Sequence, residues 1–193
     1  MPRYHRRVTP WALDAVRFFR RQGFFARATE TDEELAERIH RETIREWGEL
    51  PRMPDAVSRD MYALWRDPDR IWCQDLEVAG PGERAYEGIL REWERISRGV
   101  LRIGRVAEHW SPSYAARIEF EVVSDSAATL LTFDHRGGDY LDTAITGLLN
   151  QAIGASGLRV EVAGCGGFDG NYVLVLRADE RRELELRGWR FLW

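Results

Sequence analysis

Cys165 is the residue of this sequence best placed for nucleophilic chemistry, because the glycine-rich segment 164–170 can expose it. His135 can act as its base, and Asp134 or Asp139 can orient the imidazole ring, which is the arrangement that activates a thiol. The glycines are equally suited to a plain hairpin turn, in which case the cysteine has no chemical role. A small cysteine-dependent hydrolase or transferase is therefore an alternative hypothesis, and the sequence assigns no catalytic residue.

The same two loops carry groups that bind metal ions in other proteins, namely Asp134, His135, Asp139 and Asp169. Oxygen-rich loops suit Mg²⁺ or Ca²⁺. The chain has no EF-hand spacing, HExxH segment or paired cysteines, and aspartate at turns and helix starts has a local explanation. The glycines of segment 164–170 lead into a strand and not into a helix, unlike a dinucleotide-binding loop. We expect no metal and no cofactor.

A predicted crossover brings these loops together. If strands 127–133 and 158–163 share a sheet, helix 140–153 connects them and they run parallel. Loops 134–139 and 164–170 then emerge at one edge, where α/β sheets place ligands. This topology is the basis for every site residue predicted in that half of the chain.

The periodicity of the chain predicts an α+β fold with a helical N-terminal half packed on a mixed C-terminal sheet. Residues 1–105 show helical spacing of apolar residues, and residues 106–193 follow the order ββαββα. Apolar residues alternate with charged residues along 117–122, which indicates a strand with one buried face. This strand should pair with 127–133 as a hairpin. The two regions are compatible with a single domain.

The composition excludes several functions. The chain has 193 residues, of which 44% are hydrophobic and 31% charged, so it can bury a full core. All 28 basic residues are arginine. Any mechanism that needs a side-chain amine of this chain, such as a phosphate-binding or Schiff-base lysine, is excluded. The net charge is −4.

A basic arm at residues 1–28 precedes an acidic body. The arm contains seven arginines and one acid, Asp14. Arginines interleaved with aromatic residues can bind single-stranded nucleic acid, although such residues more often form a solvated face and a core. Nucleic-acid binding is a second alternative, and its candidate residues are Arg3, Arg6, Arg7, Arg17, Arg20 and Arg21.

Two features predict a cytoplasmic protein. Its two cysteines form no disulfide framework and fit a reducing compartment. Its longest uncharged run, 143–158, is too short and too polar to span a membrane, and no signal-peptide core follows the basic start.

The leading hypothesis is a non-catalytic protein-binding module, such as an inhibitor or immunity-type protein that covers a site of its partner. Because the body is acidic, the partner is expected to be basic and to be attracted electrostatically. Tryptophan is enriched at interface hot spots, and no amphipathic helix buries the two tryptophans at the end of the chain. The candidate partner-binding residues are Trp189, Trp193, Arg136 and Asp169.

Overall fold

The computed structural model describes residues 10–48, 56–75, 84–124, 127–137, 141–164 and 170–192. The chain divides into two compact units, Met1–Pro68 and Asp69–Trp193. The second unit therefore includes a part of the chain, up to residue 105, that the sequence assigns to the helical half.

The described part of the first unit contains three helices, α1 (Pro10–Arg21), α2 (Asp32–Trp47) and α3 (Ala56–Leu64). The predicted apolar face of α1 is buried, and the Phe19 ring contacts the edges of Phe18 and Phe24. The predicted capping box of α2 is present, because Thr31 and Glu34 each accept the backbone N–H of the other. These reciprocal bonds satisfy two N–H groups that the helix leaves unpaired and so fix where α2 begins.

In its described residues, the second unit combines three α-helices with six strands in two sheets. In chain order its elements are β1 (Ile71–Asp75), α4 (Ala85–Ile96), β2 (Ile103–Trp110), β3 (Ala116–Val123), β4 (Ala128–His135), α5 (Ala144–Ile153), β5 (Leu158–Gly164), β6 (Gly170–Arg177) and α6 (Ala178–Leu186). The first sheet has the order β1-β6-β5 and the second sheet the order β2-β3-β4. The predicted α+β class and the predicted β3–β4 hairpin are confirmed.

The predicted mixed sheet is wrong. All strand pairs are antiparallel, and β4 and β5 belong to different sheets. The physical reason is that α5 connects one sheet to the other instead of crossing over within one sheet. In the described chain each of the two strands pairs with one other strand only, β4 with β3 and β5 with β6, and both pairs are antiparallel.

The helix α5 also begins later than the sequence predicts. It starts at Ala144, whose N–H donates to Asp142 Oδ1 at 2.9 Å. Asp142 therefore supplies the side-chain oxygen at this helix start. Asp139, which the sequence predicts as the cap, lies outside the described residues.

The core of the second unit lies between α4, α5 and one face of each sheet. Its fully buried large side chains include Tyr86, Trp93 and Phe120. The two sheets differ in how they are covered. In β6, residues 172–176 are all buried, so both faces of the first sheet are covered. In β3, buried and less buried residues alternate, so the second sheet has one face turned outward.

Two buried carboxylates attach α6 to the first sheet. Glu161 on β5 accepts both of its bonds from Arg181 Nη1 on α6, each at 2.9 Å. Burial raises the pKa of Glu161, and the Arg181 guanidinium opposes that rise. Glu180 accepts from Arg98 Nη2 at 2.5 Å and from the Arg177 backbone N–H at 2.8 Å.

Among the described residues, no helix has both the length and the apolar character needed to cross a bilayer.

Candidate functional site

The strand β4 forms an exposed edge of the second sheet. It pairs with β3 on one side, and on its other side no strand of the described chain pairs with it. Residues 128–130 are exposed, and the Leu130 side chain is 61% accessible. We call the uncharged stretch Ala128–Phe133 the open edge. Such an edge offers unpaired backbone N–H and C=O groups to another chain.

The opposite edge of the same sheet, β2, is partly occupied by side chains of α4. Arg91 donates to the Ile103 carbonyl at 2.5 Å and to the Gly104 carbonyl at 2.8 Å. Glu94 Oε1 accepts the Ile103 N–H at 3.1 Å. In this stretch two residues of β2 also oppose the single residue Glu121, which is a β-bulge. Bulges and charged side chains hinder the addition of a further strand, so the two edges of this sheet differ in accessibility.

The outward face of β3 and β4 is acidic near the open edge. Three carboxylates lie there with one guanidinium, that of Arg117, which is 3.3 Å from Glu119 and 3.7 Å from Asp134. The third carboxylate, Glu121, accepts the Arg105 backbone N–H and lies directly opposite Leu130. This face therefore carries an excess of negative charge beside an apolar side chain.

His135, the predicted base, lies at the end of β4 with its ring turned into the core. It is 3% exposed, and its Nδ1 is 2.9 Å from the Tyr86 hydroxyl. The Asp142 N–H donates to that hydroxyl at 3.2 Å, so the hydroxyl proton is free to be donated to Nδ1. The Tyr86 and Trp110 rings are stacked, and the His135 ring contacts both of them edge to face.

Burial also affects the tyrosine of this cluster. It raises the pKa of Tyr86 to about 12, so the hydroxyl stays protonated at neutral pH and remains a hydrogen-bond donor. The His135 Nδ1 shares a hydrogen bond with a buried tyrosine, so it is not directed at a solvent-exposed substrate.

The structure does not bring together the predicted site residues in the expected way. Asp134 and Arg136 flank His135, and both are exposed. Cys165, Asp139 and Asp169 lie outside the described residues, so the cysteine–histidine hypothesis stays a prediction. Its geometric argument is lost, however, because β4 and β5 do not share a sheet. Across the described part of the chain, no cluster of three or more His, Cys, Asp or Glu side chains could hold a metal ion.

Trp189, a predicted partner-binding residue, is 2% exposed and stacks on Phe191. Its N–H bonds to the Leu184 carbonyl after the end of α6, which turns the chain back onto the first sheet. Trp189 therefore lies in the core. The C-terminal segment buries it without an amphipathic helix. Trp193 lies outside the described residues.

The arginines predicted to bind nucleic acid differ in whether acidic residues neutralise them. Arg17 forms an ion pair with Glu33 at 2.7 Å, and Arg20 forms one with Asp32 at 2.8 Å. Both acids lie in the first turn of α2, so these two guanidinium groups are partly neutralised within the first unit. Arg21 is exposed. Arg3, Arg6 and Arg7 lie outside the described residues.

Sequence reasoning missed Leu130 as a functional candidate. A signal was present, because residues 127–133 contain no charge while the paired segment 117–122 alternates apolar and charged residues. A strand with few charged residues is typical of the middle of a sheet, and at an edge it is a candidate for pairing with another chain.

No protein-family model matches the chain, and neither the curated proteins nor the solved structures compared with it contain a match.

Proposed function

We propose that this protein is a non-catalytic protein-binding module, and that an extended segment of its partner adds to the second sheet at β4. The observation that carries the proposal is the uncharged open edge, Ala128–Phe133, whose residues 128–130 are exposed. Strand addition uses backbone hydrogen bonds for affinity and alternate side chains for specificity. A strand of eight residues, Ala128–His135, is long enough to pair with a partner strand of ordinary length.

The charge beside the open edge favours a basic partner. Glu119, Glu121 and Asp134 face outward with one arginine, and the chain as a whole carries a net charge of −4. A partner strand with an apolar residue beside Leu130 and basic residues beside the carboxylates complements this surface. A second copy of this chain would bring the same carboxylates to the interface, so we favour a different protein.

An inhibitor or immunity-type role in the cytoplasm is part of the same proposal. Acidic surface groups accelerate the encounter with a basic partner, and the sheet edge then fixes the register of the bound segment. In such a role the protein would cover a site of its partner and need no reactive group of its own.

The proposal is tested by site-specific photo-cross-linking in the native host. A photoreactive phenylalanine replaces Leu130 in one variant and Leu186 in the other. Leu186 is a suitable control because its side chain, on α6, is 77% exposed. We expect position 130 to yield a discrete cross-linked partner that position 186 does not yield. The same cross-links from both positions, or none from position 130, would contradict the proposal.

The partner found in this way is then purified and its affinity measured by calorimetry. Leu130→Lys should weaken binding by at least about tenfold, because edge lysines oppose strand addition and the lysine can pair with Glu121 opposite. Leu186→Lys should bind as the unchanged protein does. Equal affinity of both variants would overturn the assignment of the edge, as would self-association of the chain through position 130.

A further inference from the structure

A pocket of about 380 Å³ lies between the first turns of α4 and the strand β2, away from the open edge. The residues that line it include three arginines, Arg84, Arg91 and Arg105, and two glutamates, Glu87 and Glu108. Its volume is within the range of pockets that hold small organic molecules.

Both carboxylates of the pocket are already engaged. Glu108 Oε1 accepts the Glu87 backbone N–H at 2.8 Å, and Glu108 Oε2 accepts the Trp110 Nε1–H at 2.9 Å. Glu87 Oε2 is 3.3 Å from Arg84 Nη1. Glu108 thus satisfies an N–H in the first turn of α4, and that position is closed to a ligand.

The three guanidinium groups differ in how far they are satisfied. Arg91 donates to two carbonyls of β2 and to Glu94. Among the described residues, Arg84 makes a long contact with Glu87 and no other ion pair, and its side chain is 85% exposed. The side chain of Arg105 is exposed and has no partner within the residues that the structure describes. Arg105 is therefore the arginine of this pocket that is most available to a ligand, although Glu121 Oε2 accepts its backbone N–H at 3.1 Å.

An aromatic surface completes the pocket. Trp110 is half-buried, and its indole is fixed by the hydrogen bond to Glu108 and by stacking on Tyr86, with ring centroids 6.2 Å apart. A fixed indole can bind a flat ring at little entropic cost, because its side chain is already ordered.

The geometry points to a second binding site, independent of the open edge, for a small organic anion that carries a flat ring. Arg105 and Arg84 hold the carboxylate or phosphate group of the ligand, and the ring lies against Trp110. Arginine is suited to this task because its planar fork donates two parallel hydrogen bonds to an oxyanion.

The test follows the Trp110 indole N–H by nuclear magnetic resonance in the full chain, with Trp110→Phe assigning the signal. The probes are adenosine monophosphate, indole-3-acetate, adenosine and inorganic phosphate. We expect a saturable shift with at least one of the two ring-bearing anions, and binding at least about tenfold weaker for adenosine and for phosphate. Which anion binds more tightly distinguishes a phosphate ligand from a carboxylate ligand.

Arg105→Gln should weaken the binding of the better probe by about tenfold, and Arg84→Gln should weaken it less. Arg182→Gln is the matched control, because Arg182 is an exposed arginine on α6. As a control for folding, the other amide signals of both pocket variants should match those of the unchanged protein. The absence of a saturable shift with both anions at about 10 mM would overturn the proposal, as would equal binding by the Arg105→Gln and Arg182→Gln variants.

Discussion

At the scale of single residues, His135 shows how far sequence reasoning extends. Its position beside two charged residues indicates an exposed loop, but it is the last residue of β4 and its side chain follows Phe133 into the core. Side chains alternate between the two faces of a strand, so His135 points to the same side as Phe133. This inference requires knowing that the strand extends as far as His135. Its partner Tyr86 is 49 residues away in sequence, which no local pattern can reveal.

Removing the hydrogen bond between Tyr86 and His135 should lower the stability of the protein without changing its surface. Tyr86→Phe removes a hydroxyl that bonds His135 Nδ1 and accepts the Asp142 N–H, so two buried polar groups lose a partner. We expect a loss of about 1–3 kcal/mol in the free energy of unfolding, measured by urea denaturation. A loss within error of zero would show that water replaces the hydroxyl.

His40 in the first unit predicts a dependence of stability on pH. Burial lowers its pKa below the ordinary value of 6.5, and its ring contacts the edge of Trp11. Below about pH 6.5 the unfolded chain binds a proton that the folded chain resists, so stability falls as the pH falls through this range.

Urea denaturation at about pH 5 and about pH 7.5 measures this effect. His40→Gln should reduce the difference in the free energy of unfolding between the two conditions. His109→Gln, at an exposed position on β2, should leave that difference unchanged. An unaltered pH dependence in His40→Gln would contradict the account of this residue.

At the scale of elements, local signals predicted most helices and the β3–β4 hairpin, but they could not predict which strands pair when they are distant in sequence. The capping residues Thr31 and Glu34 lie next to the helix they start, so the sequence contains the whole signal. The strand β2 was missed because Gly104 and Arg105 interrupt its alternation at the bulge opposite Glu121. A Cβ at Gly104 would lie 2.6 Å from Glu121 Oε2, so the glycine permits a close approach of the two strands.

The sequence also could not predict that β4 and β5 belong to different sheets. A helix of the length of α5 can connect parallel strands of one sheet or strands of two stacked sheets, and its apolar stripe is the same in both cases. The choice depends on β1 and β6, whose pairing joins residues about a hundred positions apart.

The attachment of α6 gives a prediction at this scale. Glu180 is 1% exposed and has guanidinium groups of Arg70, Arg98 and Arg177 within 3.5 Å. Glu180→Gln removes the buried negative charge that these three groups share, and we expect a loss of roughly 3 kcal/mol in the free energy of unfolding. Glu183→Gln is the matched control on the exposed side of α6. Equal losses in the two variants would contradict a specific role for Glu180.

At the scale of the whole molecule, the acidic charge predicted from composition coincides with a particular surface, but composition could not locate it. The expectation of a basic partner arose from the excess of acids after residue 28. The structure adds that Glu119, Glu121 and Asp134 share one face with Leu130, on a strand whose other side pairs with no described strand. The position of an edge is a property of the complete sheet, so it follows only once all strand partners are known.

The charge of this surface predicts how binding responds to salt. Association with a basic partner should slow as the ionic strength rises, because exposed charges are screened, whereas dissociation depends mainly on the strand contact. Stopped-flow measurements from about 0.05 M to about 0.5 M salt separate the two rates. An association rate that is independent of salt would argue for a neutral partner segment.

Amide hydrogen exchange in β4, followed with and without the partner identified by cross-linking, tests strand addition most directly. In the free protein, the alternate amides of Ala128–His135 that point away from β3 should exchange fast. When the partner saturates the protein, these amides should exchange at least about tenfold more slowly, because each gains a backbone hydrogen bond. Saturated binding with unchanged exchange in β4 would contradict the account.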